Sequence, residues 1–340
     1  MKKMIAALVA FGAAGVVASG SAMAASTLET VKSRGEVTCG VNNGLPGFAL
    51  PDDKGHWTGI DVDICRAVAA AVFGDAKKVK FVPLNAKERF TALQSGEIDL
   101  LSRNTTWTQT RDASLGLIFA GVNYYDGQGF MVKKELGVAS AKELSGASIC
   151  IQSGTTTELN LADYFRANNM TYSPVVFDTS DQTVQGFAGG RCDVLTSDQS
   201  QLYALRIKLE DPKGAIVLPE VISKEPLGPM VRQGDDQWLN IVRWSLFAQL
   251  NAEELGVTSA NADEAKTGTD QNVKRLLGTE GEMGKQLGLG NDWAYAIVKQ
   301  VGNYGEMFDR NIGKGSPLEI ERGLNALWTK GGIQYAPPIR

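Results

Sequence analysis

The sequence predicts an α/β protein of two similar lobes, each a mainly parallel sheet flanked by helices. Three observations carry this expectation. Strand and helix patterns alternate through the first half, then start again after Tyr125-Asp126-Gly127. One phrase is written twice, as GEIDLLSRN over 96–104 and as GRCDVLTSD over 190–198. A proline-marked stretch, LPEVISKEPLGPMV over 218–231, then reads as a second crossing between the lobes.

In chain order, Lys2-Lys3, an apolar run over 4–17 and Ala22-Met23-Ala24 have the anatomy of a secretory signal peptide. The mature chain is expected to start near Ala25, and no later apolar run is long enough to span a membrane. EVTCGV over 36–41 predicts a strand. Over 61–73, Cys65, Val68, Ala69 and Val72 fall at helical spacing, with Gly74 as the stop. A strand over 79–82, a helix over 86–94 and a strand over 98–102 complete a βαβαβ unit. The second round predicts strands over 148–151, 175–177 and 192–196, with helices over 156–167 and 180–187 between them. In both rounds a helix runs into a glycine, Gly96 or Gly190, expected at φ > 0 just past its end. Asp99 and Asp193 then stand at turn and strand entry, a structural role in both. From Asp235 the chain is largely helical. The expected division is a signal peptide over 1–24, a first lobe over 25–124, a second over 125–223, and a return to the first with C-terminal helices over 224–340.

Setting Lys2 and Lys3 aside leaves 32 basic against 38 acidic residues, a net charge of about −6. That argues against a nucleic-acid partner. Four cysteines in an exported chain invite disulfides. Three connectivities are open; Cys39 with Cys65 and Cys150 with Cys192 is favoured because each bond stays within one lobe. No C-x-x-C is present, so zinc or thioredoxin-type chemistry has no support. The single histidine, His56, lies among polar turn residues with no nucleophile motif beside it and reads as a surface side chain.

Ligands of open α/β sheets bind beyond the carboxyl ends of the strands. Asn104 and Asp198 fall there, one per lobe, and around them the two copies diverge. The first continues through Thr105, Thr106 and Trp107 to Arg111, with Thr108 as an N-cap; an arginine behind hydroxyls suits bidentate carboxylate binding. The second lobe opens with IQSGTTTELN, where Thr155 and Glu158 read as a capping box and the 154–156 turn as a source of N–H donors. Arg111, that turn and Asp198 together form the complement of an α-amino acid: carboxylate to Arg111 and Thr156, ammonium to Asp198.

With these segments in order, WTGIDVDICRAVAAAVFG, KERFTALQSGEIDLLSRNTTWTQTR, YYDGQGFMV, QSGTTTELN and GRCDVLTSDQSQL, the chain resembles the periplasmic solute-binding proteins of polar amino-acid ABC transporters, near the general L-amino-acid-binding subgroup. The resemblance runs over essentially the whole mature chain. It implies a two-lobed, flytrap-like periplasmic binding fold (type II) and an amino-acid receptor of broad specificity. It implies an inner-membrane ABC permease as partner, no cofactor and no catalysis, and a monomer is expected. By position it places carboxylate binding on Arg111, hydroxyl or amide contacts on Asn104 and Thr106, second-lobe contacts on Thr155 and Thr156, and ammonium binding on Asp198. The family's stacking aromatic falls near LPGF, where this chain offers Leu45 and Phe48. Asn104 departs from the serine that many relatives carry. The rival readings are an enzyme on the same fold, such as a cyclohexadienyl dehydratase, and a sensory ligand domain. The first would need an acid or base in the cleft, and the second an attached signalling segment.

Overall fold

The computed structural model describes residues 26–340. The expected signal peptide lies outside the described residues. Within them, the repeated pattern becomes two five-stranded sheets of the same design. The first runs Val79–Leu84, Val37–Asn42, Leu100–Leu101, Met230–Arg232, Leu117–Phe119. The second runs Ser173–Phe177, Ser148–Gln152, Val194–Asp198, Gln128–Lys133, Ala215–Val217. In each, three parallel strands are followed by a fourth that runs against them and a fifth that pairs antiparallel with the fourth, and so runs with the first three.

The fourth strand of each sheet comes from the other half of the chain. Tyr124–Asp126 leads into Gln128–Lys133 and so into the second sheet; Glu225–Leu227 leads into Met230–Arg232 and so into the first. These two lead-in segments pair antiparallel with each other, which makes them a two-stranded hinge. The proline-marked stretch therefore is a crossing, as its composition predicts.

Apolar continuity explains the buried strands. All six residues of Val37–Asn42 are buried, since helices cover both faces of a parallel sheet. The Ile60–Phe73 helix packs on this strand and on the long Asp236–Glu254 helix, with Ile60, Ile64, Ala67 and Val68 buried. Helix stops are where expected: Gly96 and Gly190 adopt φ of 80° and 72°, values that favour glycine. The structure joins Cys39 to Cys65 and Cys150 to Cys192. Each bond ties a first strand of its sheet to a neighbouring element, and loops of this length imply roughly 3–4 kcal/mol apiece in the chain-entropy picture.

The repeated aspartates do the same job twice. Asp99 Oδ2 accepts the Thr38 N–H at 2.7 Å, and the Asp99 N–H donates to Thr38 O at 2.8 Å. Asp193 Oδ2 accepts the Ser148 N–H at 3.0 Å, and the Asp193 N–H donates to Ser148 O at 2.9 Å. Each staples the third strand of its sheet to the start of its neighbour, Val37–Asn42 or Ser148–Gln152.

Three expectations are corrected. The helix expected over 86–94 is Arg89–Ser95, preceded by a turn in which Asn85 Oδ1 accepts the N–H groups of Lys87 and Glu88. The third strand of the second sheet is Val194–Asp198 rather than 192–196, so Asp198 is its last residue. The Thr155/Glu158 capping box is absent, because Thr155 Oγ1 turns back to donate to Gln152 O at 2.7 Å and Glu158 accepts the Gly154 N–H instead.

Candidate functional site

The two strand ends face each other across the cleft, and Asn104, Thr106 and Thr156 make contacts there. Asn104 Nδ2 donates to Gln201 Oε1 at 3.0 Å, from one lobe to the other. The Thr106 and Thr156 hydroxyls are 3.4 Å apart. Thr156 Oγ1 also donates to Glu225 Oε2 of the hinge at 3.0 Å. Asn104 adopts φ 27°, which asparagine tolerates better than serine does. That gives the departure from serine a backbone reason. The amide is already engaged, since its oxygen accepts from Asn42 Nδ2 at 3.0 Å.

Arg111 sits in the first turn of the short Gln109–Ser114 helix, whose N-cap is Thr108 as expected. One guanidinium nitrogen donates to Thr106 O at 3.0 Å, and the group lies 5.2 Å from the centre of the Phe90 ring. Among the described residues it forms no ion pair. Two further arginines crowd this end. Arg89, 2 % exposed, reaches Thr105 Oγ1 and Gly154 O at 3.3 and 3.4 Å and also lies over Phe90. Arg103, equally buried, donates to Leu84 O. Burial, then mutual repulsion, holds the Arg89 guanidinium well below its ordinary pKa, and burial lowers Arg103 to about 10. Arginine nonetheless stays protonated, so this end is a concentrated positive field looking for an anion.

The other end is its opposite. Asp198 is 6 % exposed, and its carboxylate accepts no hydrogen bond from any described residue. It stands just before the Gln199–Arg206 helix, but its side chain makes no capping bond there. Burial, and then the neighbouring Asp126 and Glu225 carboxylates, push its pKa well up. Burial likewise lifts Asp126 to about 6. A buried carboxylate without partners is costly unless a cation joins it.

Phe48 is placed differently from the stacking lid expected of it. It is 1 % exposed and meets the edge of Tyr124 at 5.7 Å inside the core. Behind it, the chain turns at Gly59, whose Cα lies against the Phe48 carbonyl so closely that a Cβ would fall 2.0 Å from its oxygen. Leu45 is buried too. His56 is exposed beside Asp52, as its loop predicts.

Several site residues escaped the sequence reading: Arg89, Arg103, Asp126, Gln201 and Glu225. Arg103 stands next to Asn104 and Gln201 three residues after Asp198, so proximity to the strand ends could have flagged them. Glu225 had no local signal, yet it accepts from Thr156, Asn160 and Ser223 in the hinge.

The description of the bacterial extracellular solute-binding proteins, family 3, matches residues 37–258. The chain belongs to that family. A family 3 solute-binding protein is a transport receptor, not an enzyme, and the two-lobed type II binding fold seen here is that of its relatives. It is 63% identical over 333 residues to the General L-amino acid-binding periplasmic protein AapJ of Rhizobium johnstonii, covering 97% of this chain and 98% of that one. It is 57% identical over 320 residues to the Glutamate/glutamine/aspartate/asparagine-binding protein BztA of Rhodobacter capsulatus, covering 94% and 95%. A solved structure, an ABC transporter periplasmic binding protein from Brucella ovis with glutathione bound, superposes with a TM-score of 0.92 at 61% identity, covering 93% of this chain and 100% of that one. No helix among the described residues is long and apolar enough to cross a membrane.

Proposed function

We propose that this family 3 protein captures L-amino acids as zwitterions between its lobes, 25–124 with 224–340 on one side and 125–223 on the other. The observation that carries the reading is the pairing of opposites: among the described residues, an Arg111 guanidinium without an ion-pair partner and a buried Asp198 carboxylate without a hydrogen-bond donor. The ligand carboxylate goes to Arg111, supported by Thr106, Thr156 and the field of Arg89. The ammonium goes to Asp198, beside Asp126. Asn104 latches the lobes through Gln201 and keeps one amide hydrogen for the ligand. Thr155 shapes the turn around Gly154, and Phe48 packs behind the site.

Closure requires only that the ligand favour the closed arrangement over the open one. Because the charged anchors all serve the α-carbon end, the side chain is weakly read, and specificity is broad. The name of the Rhizobium relative supports that breadth. The chain works in the periplasm after export, as a monomer, and delivers its ligand to an inner-membrane ABC permease.

Isothermal titration of the mature protein tests this against a panel of L-amino acids, the matching α-keto acids and amines, and glutathione, whose γ-glutamyl residue carries the same α-amino-acid head group. Several L-amino acids should bind, with neither control bound. Keto acids bound equally well would remove the role given to Asp198.

A further inference from the structure

The chain continues for 82 residues beyond the matched family region, from Ser259 to Arg340. We propose that Asn325, in this C-terminal segment, is a positioning residue for the ammonium end of the site: it holds the hinge strand by both backbone groups of Tyr125 and so fixes Asp126 beside Asp198. The proposal rests on the zwitterion reading above.

The hinge strand Tyr124–Asp126 has two edges. On one it pairs with Glu225–Leu227, where Pro226, which has no N–H, stands opposite Tyr125. On the other, the C-terminal segment takes over. The Tyr125 N–H donates to Asn325 Oδ1 at 2.7 Å, and Asn325 Nδ2 donates to Tyr125 O at 3.0 Å. One side-chain amide thus does what a third strand's peptide would do. The neighbouring carbonyl, Asn123 O, accepts from the Tyr304 hydroxyl at 2.8 Å. The Tyr124 ring stacks on Phe308 at 6.1 Å. Three successive residues at the start of the hinge, Asn123, Tyr124 and Tyr125, are therefore held from beyond the family region.

Asn325 is itself anchored. It is 4 % exposed, and its carbonyl accepts two bonds from Arg322, at 3.0 and 3.1 Å. Arg322 in turn pairs with Glu253 of the Asp236–Glu254 helix at 3.0 Å and lies over the Tyr304 and Phe308 rings. The link onward to the site is equally short. Asp126 accepts from the hydroxyl and the N–H of Ser200, two residues after Asp198, and Gly127 O accepts the Gln199 N–H at 2.8 Å. A hinge strand free to shift would carry Asp126 away from Asp198 and blur the anionic end without touching Arg111.

The test compares L-glutamine and L-glutamate with their desamino analogues, glutaramic and glutaric acid, on wild type, Asn325→Ala and Trp328→Ala. Trp328 lies in the same segment, but its exposed side chain donates to exposed Glu254 and meets Tyr335, away from the hinge strand. Asn325→Ala should lower the preference for amino acid over desamino analogue about tenfold, while Trp328→Ala leaves it intact. If Asn325→Ala does not fold, Asn325→Asp, which keeps the acceptor for the Tyr125 N–H, is measured in its place, with a smaller drop expected. An unchanged preference, even with weaker binding or a lower melting temperature, would make Asn325 a merely structural residue and overturn the proposal. Wild type binding neither amino acid would sink the zwitterion reading, and this inference with it. Wild type binding both with an Asn325-independent preference would sink the inference alone.

Discussion

Residues 96–104 and 190–198 share a pattern, a strand position and a sheet order, yet they separate structure from function along their own length. Their leading halves are equivalent: Asp99 and Asp193 make the same pair of bonds to the start of the neighbouring strand, at Thr38 and Ser148. Their trailing halves are not. Asn104 is a neutral amide at the cationic end, and Asp198 a buried carboxylate at the anionic end. A duplicated frame can tolerate such divergence because a strand's register is set by its backbone and inward apolar residues, while the residue at its carboxyl end only points into the cleft.

The sharpest way to break this comparison is at the trailing ends. Arg111→Ala should weaken L-amino-acid binding by about 3 kcal/mol or more, over a hundredfold, because it strands a ligand carboxylate in a desolvated site. Asp198→Asn should cost about 2 kcal/mol for amino acids and nothing for desamino analogues, since a charge-assisted bond to the ammonium is lost. Both are read by titration calorimetry, and wild-type affinity in either variant would remove that residue from the site.

The leading ends should answer to stability instead. Asp99→Ala should cost about 2–3 kcal/mol in denaturant unfolding, because the buried Thr38 N–H and the neighbouring Arg34 lose their acceptor. Asp193→Ala should cost only about 1 kcal/mol, since Ser148 is reached by water. Neither should change ligand affinity. Equal costs would mean that burial does not distinguish the two staples.

Acid offers a subtler contrast. Asp61 and Asp126 both have pKa values raised to about 6 by burial, so the folded state takes up protons before the unfolded chain does. Ligand-free stability should therefore rise as pH falls from 7 to 5. Carboxylates with lowered values, such as Asp193, lose their contribution only below about pH 4. Binding should move the other way over the same range, because the ammonium needs Asp126 and Asp198 ionised. Thermal melts with and without L-glutamine at pH 7 and 5 read both signs, and parallel trends would contradict the assignment. The smallest effect is expected for Asn104→Ser, about 1 kcal/mol or less in stability, from a residue less tolerant of φ 27°.

The fold class, the duplicated lobe and the strand-end residues were legible in the sequence because they are local. Periodicity marks a helix within a dozen residues, and a glycine marks its end. Arg111 and Asp198 could be singled out because one follows a recognisable strand and the other ends one. The T-x-x-E pattern misled because local bonding by Thr155 competed with the cap and won.

What no local pattern could supply is the company these residues keep. Glu225 meets Thr156 across 69 positions, Asn104 meets Gln201 across 97, and Asn325 meets Tyr125 across 200. Phe48 looked like a lid, but its ring packs into the core against Tyr124. The sequence by itself determined two α/β lobes and put Arg111 and Asp198 near opposing strand ends, because backbone propensity and strand-end chemistry act over a few residues. Only the tertiary structure decided which buried charges stand unpaired and what holds the hinge, because those depend on groups that chain folding alone brings within hydrogen-bond distance.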